Sequence, residues 1–374
     1  MIPFNKPYLT GNETLYIEDA VKSGKISGNG VFTKKCQNFF ETNYGIQKAL
    51  LTTSCTDALE MAAILINIKE GDEVIMPSYT FVSTANAFVL RGAKIVFADS
   101  MSNHPNIDVS KIEGLITSKT KAIVPVHYAG VACDMDTIME LSIKHNIFVI
   151  EDAAQAVDSY FTGKDGVKRA LGSIGHLAAF SFHETKNIIA GEGGLLAIND
   201  EQFINRAEII WEKGTNRSSF FRGEVDKYGW VDIGSSFLPS EIIAAFLWAQ
   251  LENLEKIQTK RKEIWNNYFI SIQDWVKKQE ISLPELPTYA TNNAHMFYLV
   301  CNNIEQRTKI IEKLKRNNIL AVFHYISLHK SPFYQDKHDG RKLLEADRFT
   351  DTLVRLPLFF ELENDSVVEI LLKL

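Results

Sequence analysis

Residues 181–194, SFHETKNIIAGEGG, place one lysine, Lys186, between a short apolar run and a cluster of glycines. The run that leads into this stretch, HLAAFSF at 176–182, is apolar almost throughout, as is typical of a strand with both faces covered. A lysine in a loop after a strand is usually a solvated surface charge. Lys186 therefore gains a functional meaning only if other chemically useful residues gather around it.

The same pattern extends from this stretch in both directions along the chain. Short runs rich in valine and isoleucine alternate with longer amphipathic segments, one of which predicts a helix over residues 136–145. Such alternation is typical of a mainly parallel sheet with helices on both faces, so the fold class is α/β. The other predicted strands are KALLTT (48–53), DEVIMPS (72–78), KIVFAD (94–99), TKAIVPVHY (120–128), IFVIEDAA (147–154) and GLLAIN (194–199).

The pattern changes near residue 239, which suggests a second domain. PSEIIAAFLWAQLENLEKIQTKRKEIW, residues 239–265, predicts one long helix with proline near its start and a charged second half. Such a helix would leave the large domain and lead into a smaller one. We expect a large domain over residues 1–250 and a smaller C-terminal domain over residues 251–374.

Composition limits the functions that are available. The chain has 374 residues, 45% of them hydrophobic and 23% charged, as in a globular protein of two or three domains. With a formal net charge of -6, the chain lacks the excess of basic residues that is typical of a nucleic-acid-binding protein. Neither a signal peptide nor an apolar stretch of membrane-spanning length is present, so we expect a cytoplasmic protein without membrane insertion. The four cysteines are dispersed without CxxC spacing, which argues against a zinc site and against a disulfide framework.

Ligands of open α/β sheets bind at the carboxyl ends of the strands, which makes the residues after each predicted strand important. Small and hydroxyl residues, TSCTDAL at 53–59, open a helix after the first strand, where exposed N–H groups suit a phosphate. An ordinary N-cap at Ser54 or Thr56 explains the same residues equally well. Phe81 follows the second strand, and taken alone it reads as a core residue.

Two carboxylates, Glu151 and Asp152, stand where another apolar strand ends. Burying a carboxylate costs free energy unless a cation or a hydrogen-bond donor accompanies it, and a helix N-terminus is the simplest such partner. Lys186 follows a further strand of the same predicted sheet. An anion cradle, an aromatic face, an acid and a lysine are thus predicted around one crevice.

This set of residues matches the requirements of pyridoxal phosphate (PLP). PLP needs a lysine amine for its aldehyde, an acid that keeps its pyridine nitrogen protonated, a cradle for its phosphate and a flat surface beneath its ring. We therefore predict that Lys186 forms a covalent bond with PLP.

At this point the chain resembles the DegT/DnrJ/EryC1/StrS family of sugar aminotransferases, PLP enzymes of fold type I. The resemblance runs from IPFNKP (2–7) to RLPLF (355–359). It implies an aspartate aminotransferase-like fold with a large, mainly parallel domain and a smaller C-terminal α+β domain. The motifs that carry it are VPVHYAGVACDMDTIM (124–139), FSFHETKN (180–187), EKGTNRSSFFRGEVDKYGWVDIGSS (212–236) and FHYISLH (323–329).

The resemblance also implies roles for individual cofactor residues. Lys186 would carry the covalent bond, Asp152 would pair with the pyridine nitrogen and Phe81 would stack on the ring. Gln155 would contact the phenolic oxygen of PLP.

The phosphate, by the same resemblance, would be held by Cys55, Thr56 and Ser181. Many relatives add an asparagine from the neighbouring subunit, and Ser236 stands at that position here. The resemblance implies a homodimer with shared sites, although this contact across the dimer departs from the pattern of the relatives.

Substrate contacts are implied by two further motifs. Residues of KGTNR can meet a nucleotide diphosphate or a donor carboxylate, or they can form a cation cluster at a helix C-terminus. Residues of YISLHKSP are placed near the sugar by the resemblance alone, and His183 is either a wall of the site or a packed ring. The candidates are Lys213, Asn216, Arg217, Tyr325, His329 and His183.

The reaction implied is transfer of an amino group from L-glutamate to C4 of dTDP-4-keto-6-deoxy-D-glucose, giving the galacto product for surface polysaccharide synthesis. The gluco epimer or another nucleotide-linked keto-sugar is the alternative. A sugar dehydratase of the same fold is less favoured, because in such relatives a histidine replaces the lysine that is retained here. A non-catalytic regulator that senses a sugar represents a different class, and the acidic pI and the lack of an identifiable DNA-binding module argue against it. A scaffold protein that keeps the fold without the activity is a further alternative, which the lysine, acid and cradle argue against.

Overall fold

The computed structural model describes residues 1–373 and contains one large sheet and two small ones. The strands of the large sheet are β1 (Lys48–Thr52), β2 (Glu73–Pro77), β3 (Lys94–Ala98), β4 (Thr120–Ile123), β5 (Phe148–Asp152), β8 (Leu177–Ser181) and β9 (Gly194–Ile198). Their order in the sheet is β1-β9-β8-β5-β4-β2-β3. Only β9 runs against the direction of the other strands, so the mainly parallel α/β sheet expected from the sequence is confirmed. A hairpin of β6 (Tyr160–Thr162) and β7 (Lys168–Ala170) stands apart from it.

Helices cover both faces of the large sheet, and each face has its own apolar core. One core lies between the sheet and the helices α3, α4 and α7, and the other lies between the sheet and α2, α6 and α9. Strands buried on both faces explain the uninterrupted apolar runs of the sequence. The helices up to this point are α1 (Glu13–Lys22), α2 (Val31–Tyr44), α3 (Cys55–Leu65), α4 (Val82–Val89), α5 (Val109–Ile112), α6 (Met135–His145), α7 (Ile204–Trp211), α8 (Arg217–Phe221) and α9 (Glu241–Leu251).

A third apolar core belongs to the C-terminal part of the chain. It surrounds an antiparallel pair, β10 (Phe297–Val300) and β11 (Leu353–Leu356). The N-terminus joins this part, because Ile2 pairs with Ile319. The boundary near residue 250 stays a prediction. The remaining helices are α10 (Leu254–Ser271), α11 (Gln273–Lys278), α12 (Ile304–Arg316), α13 (Leu344–Thr352) and α14 (Asp365–Leu372).

The prediction of a single long helix over residues 239–265 is wrong, because α9 and α10 are separate helices. The break falls at Asn253, whose side-chain amide donates to the carbonyl of Ala249 at 2.9 Å and so terminates the last turn of α9. The bridging role expected of this region belongs to α10. Its Ile257 packs in a core of the large sheet, whereas Ile264 packs in the C-terminal core.

Across residues 1–373, none of the helices combines the length and the apolar character needed to cross a membrane. The cytoplasmic location expected from the sequence stays a prediction.

Candidate active site

A cavity of about 800 Å³ opens at the carboxyl edge of the large sheet. Its floor comes from the ends of the strands, and its opposite wall comes from residues of the C-terminal part and from Phe4 and Asn5. Because β1, β2, β5 and β8 all end at this edge, the segments that follow them converge here.

The anion cradle lies at the start of α3. Ser54 is the N-cap, and its hydroxyl accepts the backbone N–H of Asp57 at 3.1 Å. Cys55 and Thr56 follow it and line the cavity. The first turn of a helix carries N–H groups without intrahelical partners and a partial positive charge, so this end of α3 suits a phosphate. The N-cap and the cradle are thus compatible readings of the same residues.

Gly194 explains the end of the glycine cluster. A Cβ atom at this residue would lie 2.3 Å from the carbonyl carbon of Ser54 and 2.4 Å from the amide nitrogen of Cys55. Since both contacts are with backbone atoms, a side chain here would push the first turn of α3 away. The first residue of β9 therefore has to be glycine for the cradle to keep its position.

We predict that Gly194→Ala weakens PLP binding by roughly 10- to 100-fold, because overpacking of about 1–3 kcal/mol falls directly on the cradle. Titration of the apoenzyme with PLP, together with thermal denaturation, measures the effect. Gly193→Ala is the matched control, because a Cβ there meets nothing closer than 3.4 Å. Equal PLP affinities of the two variants would show that the close approach at Gly194 does not control the cradle.

Asp152 is the acid at the bottom of the cavity. Its side chain accepts the hydroxyl of Thr84 at 2.7 Å and the backbone N–H of Ala154 at 3.1 Å. Burial nevertheless raises the pKa of Asp152, against the opposing effect of these hydrogen bonds. Two neutral donors thus leave the buried carboxylate incompletely stabilised, and a cation in the cavity would complete it. The protonated pyridine nitrogen of PLP meets this requirement.

Glu151, the other carboxylate at this strand end, does not line the cavity. It lies fully buried on the opposite face of β5, since successive strand residues point to opposite sides. His127 contacts one of its oxygens at 2.9 Å, and the backbone N–H groups of Gly172, Ile174 and Gly175 donate to its carboxylate. Glu151 therefore fixes the loop before β8, and only Asp152 is available to a ligand.

Lys186 lines the cavity from the loop after β8. Burial lowers the pKa of its amine, while the negative charge of Asp152 acts in the opposite direction. A lowered pKa favours the uncharged amine, which is the form that attacks an aldehyde or accepts a proton.

A buried polar network holds the residue next to this lysine. The Asn187 side-chain amide donates to Gln258 Oε1 at 2.8 Å and to the carbonyl of Asn293 at 2.9 Å, while its oxygen contacts His295 Nδ1 at 2.8 Å. Because all these groups are buried, the network fixes the backbone that carries Lys186.

Three side chains provide surfaces and hydrogen bonds for a flat ring. Phe81 is 56% exposed at the start of α4, so the core reading of this residue is wrong. Gln155 accepts the backbone N–H of Ala129 at 2.7 Å and donates to the hydroxyl of Tyr325 at 3.0 Å. The ring of Tyr325 lies 6.2 Å from that of Phe81. These contacts orient the Gln155 amide beside the space that a cofactor would occupy.

The structure brings most of the predicted site residues into this cavity and leaves a smaller group outside it. Each individual role stays a prediction. Those that line the cavity are Cys55, Thr56, Phe81, Asp152, Gln155, Ser181, His183, Lys186 and Tyr325. Those outside the cavity of their own chain are Lys213, Asn216, Arg217, Ser236 and His329.

His329 is buried in the protein and does not line the cavity. Its Nδ1 contacts the hydroxyl of Ser78 at 2.8 Å, and its Nε2 lies 3.5 Å from Asp347. His324, from the same FHYISLH motif, does line the cavity and stacks on Tyr325 at 3.5 Å. Both ring nitrogens of His329 thus face protein groups, and the geometry favours His324 for contact with a ligand.

His324 and Arg355 line the cavity but were not predicted from the sequence as site residues, although both lie in motifs that carry the family resemblance. Neither residue follows a strand of the large sheet, so the ends of those strands do not indicate where they lie. The available signal was their position in FHYISLH and at the first residue of RLPLF.

The segment over residues 212–236 extends away from the cavity of its own chain. Asn216 Oδ1 accepts the backbone N–H of Gly229 at 2.8 Å, which closes the segment on itself. Ser236 is exposed, and Trp230 is 83% exposed. Lys213 and Arg217 are also exposed, so the KGTNR cations are presented on the outer surface.

Comparison with known proteins places these features in a family. Residues 7–374 match the family model described as the DegT/DnrJ/EryC1/StrS aminotransferase family. The spore coat polysaccharide biosynthesis protein SpsC of Bacillus subtilis is 33% identical, with 99% of this chain and 95% of SpsC covered. The GDP-perosamine synthase of Escherichia coli O157:H7 is also 33% identical, with 99% and 96% covered. Among solved structures, the PLP form of Spr1654 from Streptococcus pneumoniae has a TM-score of 0.88 and 25% identity, with 100% and 97% covered.

Proposed function

The chain belongs to the DegT/DnrJ/EryC1/StrS aminotransferase family and is a PLP-dependent sugar aminotransferase, and from this premise we propose its substrates. The amino donor is L-glutamate, and the acceptor is dTDP-4-keto-6-deoxy-D-glucose. Amination at C4 gives dTDP-4-amino-4,6-dideoxy-D-galactose, a precursor for a surface polysaccharide such as the common antigen or an O-antigen. The polysaccharide and nucleotide-sugar names of SpsC and GDP-perosamine synthase support this class of product.

The observation that carries the aminotransferase chemistry of this proposal is the convergence of Lys186 and Asp152 with the start of α3 in one cavity. Lys186 would hold the aldehyde of PLP, Asp152 the pyridine nitrogen, and the first turn of α3 with Ser181 the phosphate. When bound, PLP supplies an electron sink for the carbon from which a proton is removed.

The amine of Lys186 acts as the proton carrier in both halves of the reaction. In the first half its Nζ would take the proton from Cα of glutamate and pass it to the cofactor. In the second half it would take a proton from the cofactor and deliver it to C4 of the sugar. The lowered pKa of Lys186, caused mainly by burial, prepares the amine to act as a base. Asp152 keeps a negative charge at the far end of the site, and the Asn187 network holds the loop of Lys186 in position.

The configuration of the product follows from the face on which Lys186 delivers the proton. The galacto product requires that this face leaves the new amino group axial at C4. The resemblance of residues 213–236 to C4 aminotransferases supports amination at C4, and the preference for the galacto product rests on the family resemblance alone.

The substrate proposal is tested with the PLP-loaded enzyme, L-glutamate and a panel of dTDP- and UDP-linked keto-sugars. NMR of the product should show an equatorial H4 with small couplings to H3 and H5. Large diaxial couplings would establish the gluco epimer instead. Amination at C3, or turnover of UDP-sugars alone, would overturn the substrate while leaving the aminotransferase chemistry in place.

We also propose that the enzyme is a homodimer in which residues 212–236 reach the neighbouring site. Phe221, Tyr228 and Trp230 expose large aromatic surfaces on this one segment, as is typical of an interaction site. In this arrangement Ser236 and the KGTNR cations face the partner's cavity.

We predict that sedimentation of the wild-type enzyme at its working concentration gives a dimer. Trp230→Glu is expected to shift this equilibrium towards the monomer, because burying a carboxylate at an interface costs free energy. Lys119→Glu, at an exposed residue outside this segment, provides the control. A fully active monomer would remove the basis for the shared site.

A further inference from the structure

Arg355, in β11, presents a guanidinium to the cavity without an anionic partner. Its Nη2 donates to the carbonyl of Phe323 at 3.3 Å, and its Nε is buried without any acceptor. Among residues 1–373, none of the ion pairs involves this guanidinium, although it can offer five N–H donors. Apart from the bond to Phe323, the N–H groups of this guanidinium have no acceptor among the described residues.

The surroundings of Arg355 hold its side chain in place but do not neutralise it. The guanidinium stacks on the ring of Phe4, 4.6 Å from its centroid. Burial lowers the pKa of Arg355, and the titratable groups beside it, the phenols of Tyr128, Tyr325 and Tyr79, are neutral at physiological pH. A buried cation without a counter-ion costs free energy, so a site of this kind is completed when a ligand brings a negative charge.

Arg355 and Lys186 share this space. Both line the cavity, and after the dominant effect of burial the positive charge of Arg355 contributes to lowering the pKa of Lys186. A ligand that contacts both must therefore carry its anionic group close to the atom that reacts.

We propose that Arg355 binds the α-carboxylate of the amino donor. This inference rests on the proposed function, because it assigns a residue to the donor of that same reaction. The α-carboxylate is attached to the carbon that bears the reacting amine, so it must lie near Lys186 whenever the amine is in place. Planar guanidinium and carboxylate groups form two parallel hydrogen bonds, which also fixes the orientation of Cα towards the lysine.

Two other anionic groups in the reaction can also pair with a guanidinium. The γ-carboxylate of glutamate lies two methylene groups beyond the carbon that bears the amine. The diphosphate of the sugar nucleotide is attached at C1, across the hexose ring from C4. Each of these sources predicts a different response to substitution of Arg355.

The test measures the two half-reactions separately in the PLP-loaded enzyme. Stopped-flow absorbance follows the reaction of the PLP form with L-glutamate, with its α-amide isoglutamine and with its γ-amide L-glutamine. Arg355→Gln should lower kcat/KM for glutamate by roughly 100-fold, the loss expected when a charge-assisted bidentate pair is removed. The wild-type preference for glutamate over isoglutamine should nearly disappear, whereas the preference over L-glutamine should persist.

Arg355→Lys keeps the charge without the planar fork and should recover part of the lost rate. Arg316→Gln, at an exposed residue of α12, is the control and should leave the donor series unchanged. Calorimetric titration with 2-oxoglutarate gives a readout that does not depend on turnover, and its affinity for the PLP form should fall in Arg355→Gln. Thermal denaturation checks that both Arg355 variants fold. If Arg355→Gln does not fold, the same measurements on Arg355→Lys test the inference.

Unchanged kinetics with glutamate in Arg355→Gln would overturn the inference. Loss of discrimination against L-glutamine instead of isoglutamine would assign the γ-carboxylate and overturn it. A defect confined to the pyridoxamine phosphate form with the keto-sugar would assign the diphosphate and also overturn it. A wild-type enzyme that reacts with glutamate but with no keto-sugar would refute the proposed function alone, since the donor series would still report on Arg355.

Discussion

Lys186→Ala is expected to lower turnover by roughly 10⁴-fold, at the upper end of what one general acid–base group contributes. The loss is large because a single nitrogen would bind the cofactor covalently and move the proton in both half-reactions. Among the described residues that line the cavity, Arg355 stays protonated in proteins and cannot act as a base, and the histidines there have no primary amine with which to hold the aldehyde of PLP. Absorbance spectra should lose the visible band of lysine-bound PLP, and product formation from glutamate and the keto-sugar should fall to background.

Lys119→Ala is a suitable control, because Lys119 is exposed and lies far from the cavity lining. It should keep both the visible band and the rate. A Lys186→Ala enzyme with substantial turnover would contradict the assignment of this lysine to PLP.

Asp152→Asn is expected to lower turnover by roughly 10²- to 10⁴-fold, since removing one partner of a buried charge pair costs about 3–5 kcal/mol. The amide keeps the shape of the carboxylate but cannot hold the proton on the pyridine nitrogen. Cofactor binding should survive in part, because the phosphate cradle at the start of α3 is untouched. Turnover and PLP affinity measured on the same preparation separate the two effects.

Asp57→Asn tests whether loss of any nearby carboxylate is enough, because Asp57 lies in the first turn of α3 and outside the cavity lining. We expect it to retain far more turnover than Asp152→Asn. Near-normal turnover of Asp152→Asn would require another acid at the pyridine nitrogen. Glu151 cannot serve without a rearrangement of β5, because it is fully buried against His127 and the loop before β8.

The large sheet was predictable because its strands are buried on both faces. An apolar run such as residues 148–150 has one simple structural explanation, and the carboxyl end of such a strand then locates Asp152. The short hairpin of β6 and β7 was not predicted, because each strand has only three residues, contains polar side chains and lies outside the large sheet. The break at Asn253 was also missed, because asparagine is only mildly unfavourable within helices and its side-chain hydrogen bond is visible only in the structure.

The part of the candidate site that lies at the carboxyl ends of the strands was predictable from the sequence. Strand order brings Cys55, Phe81 and Lys186 together without knowledge of side-chain packing. The opposite wall depends on how the C-terminal part packs against the sheet, so Arg355 and His324 could not be located by the same argument. The exposure of Phe81 is likewise a property of the assembled cavity, whereas its sequence context resembles that of a core residue.

The buried hydrogen-bond network beside Lys186 connects the loop that carries this lysine to the helix that joins the large sheet to the C-terminal core. Asn187 is tied to Gln258, which lies on α10 between the residue packed against the large sheet and those packed in the C-terminal core. A rotation of the C-terminal core relative to the sheet must therefore bend α10, break these hydrogen bonds or move the loop of Lys186 with it. The position of the reacting amine is therefore tied to the way the C-terminal core sits against the sheet, and Gln258 provides the connection between them.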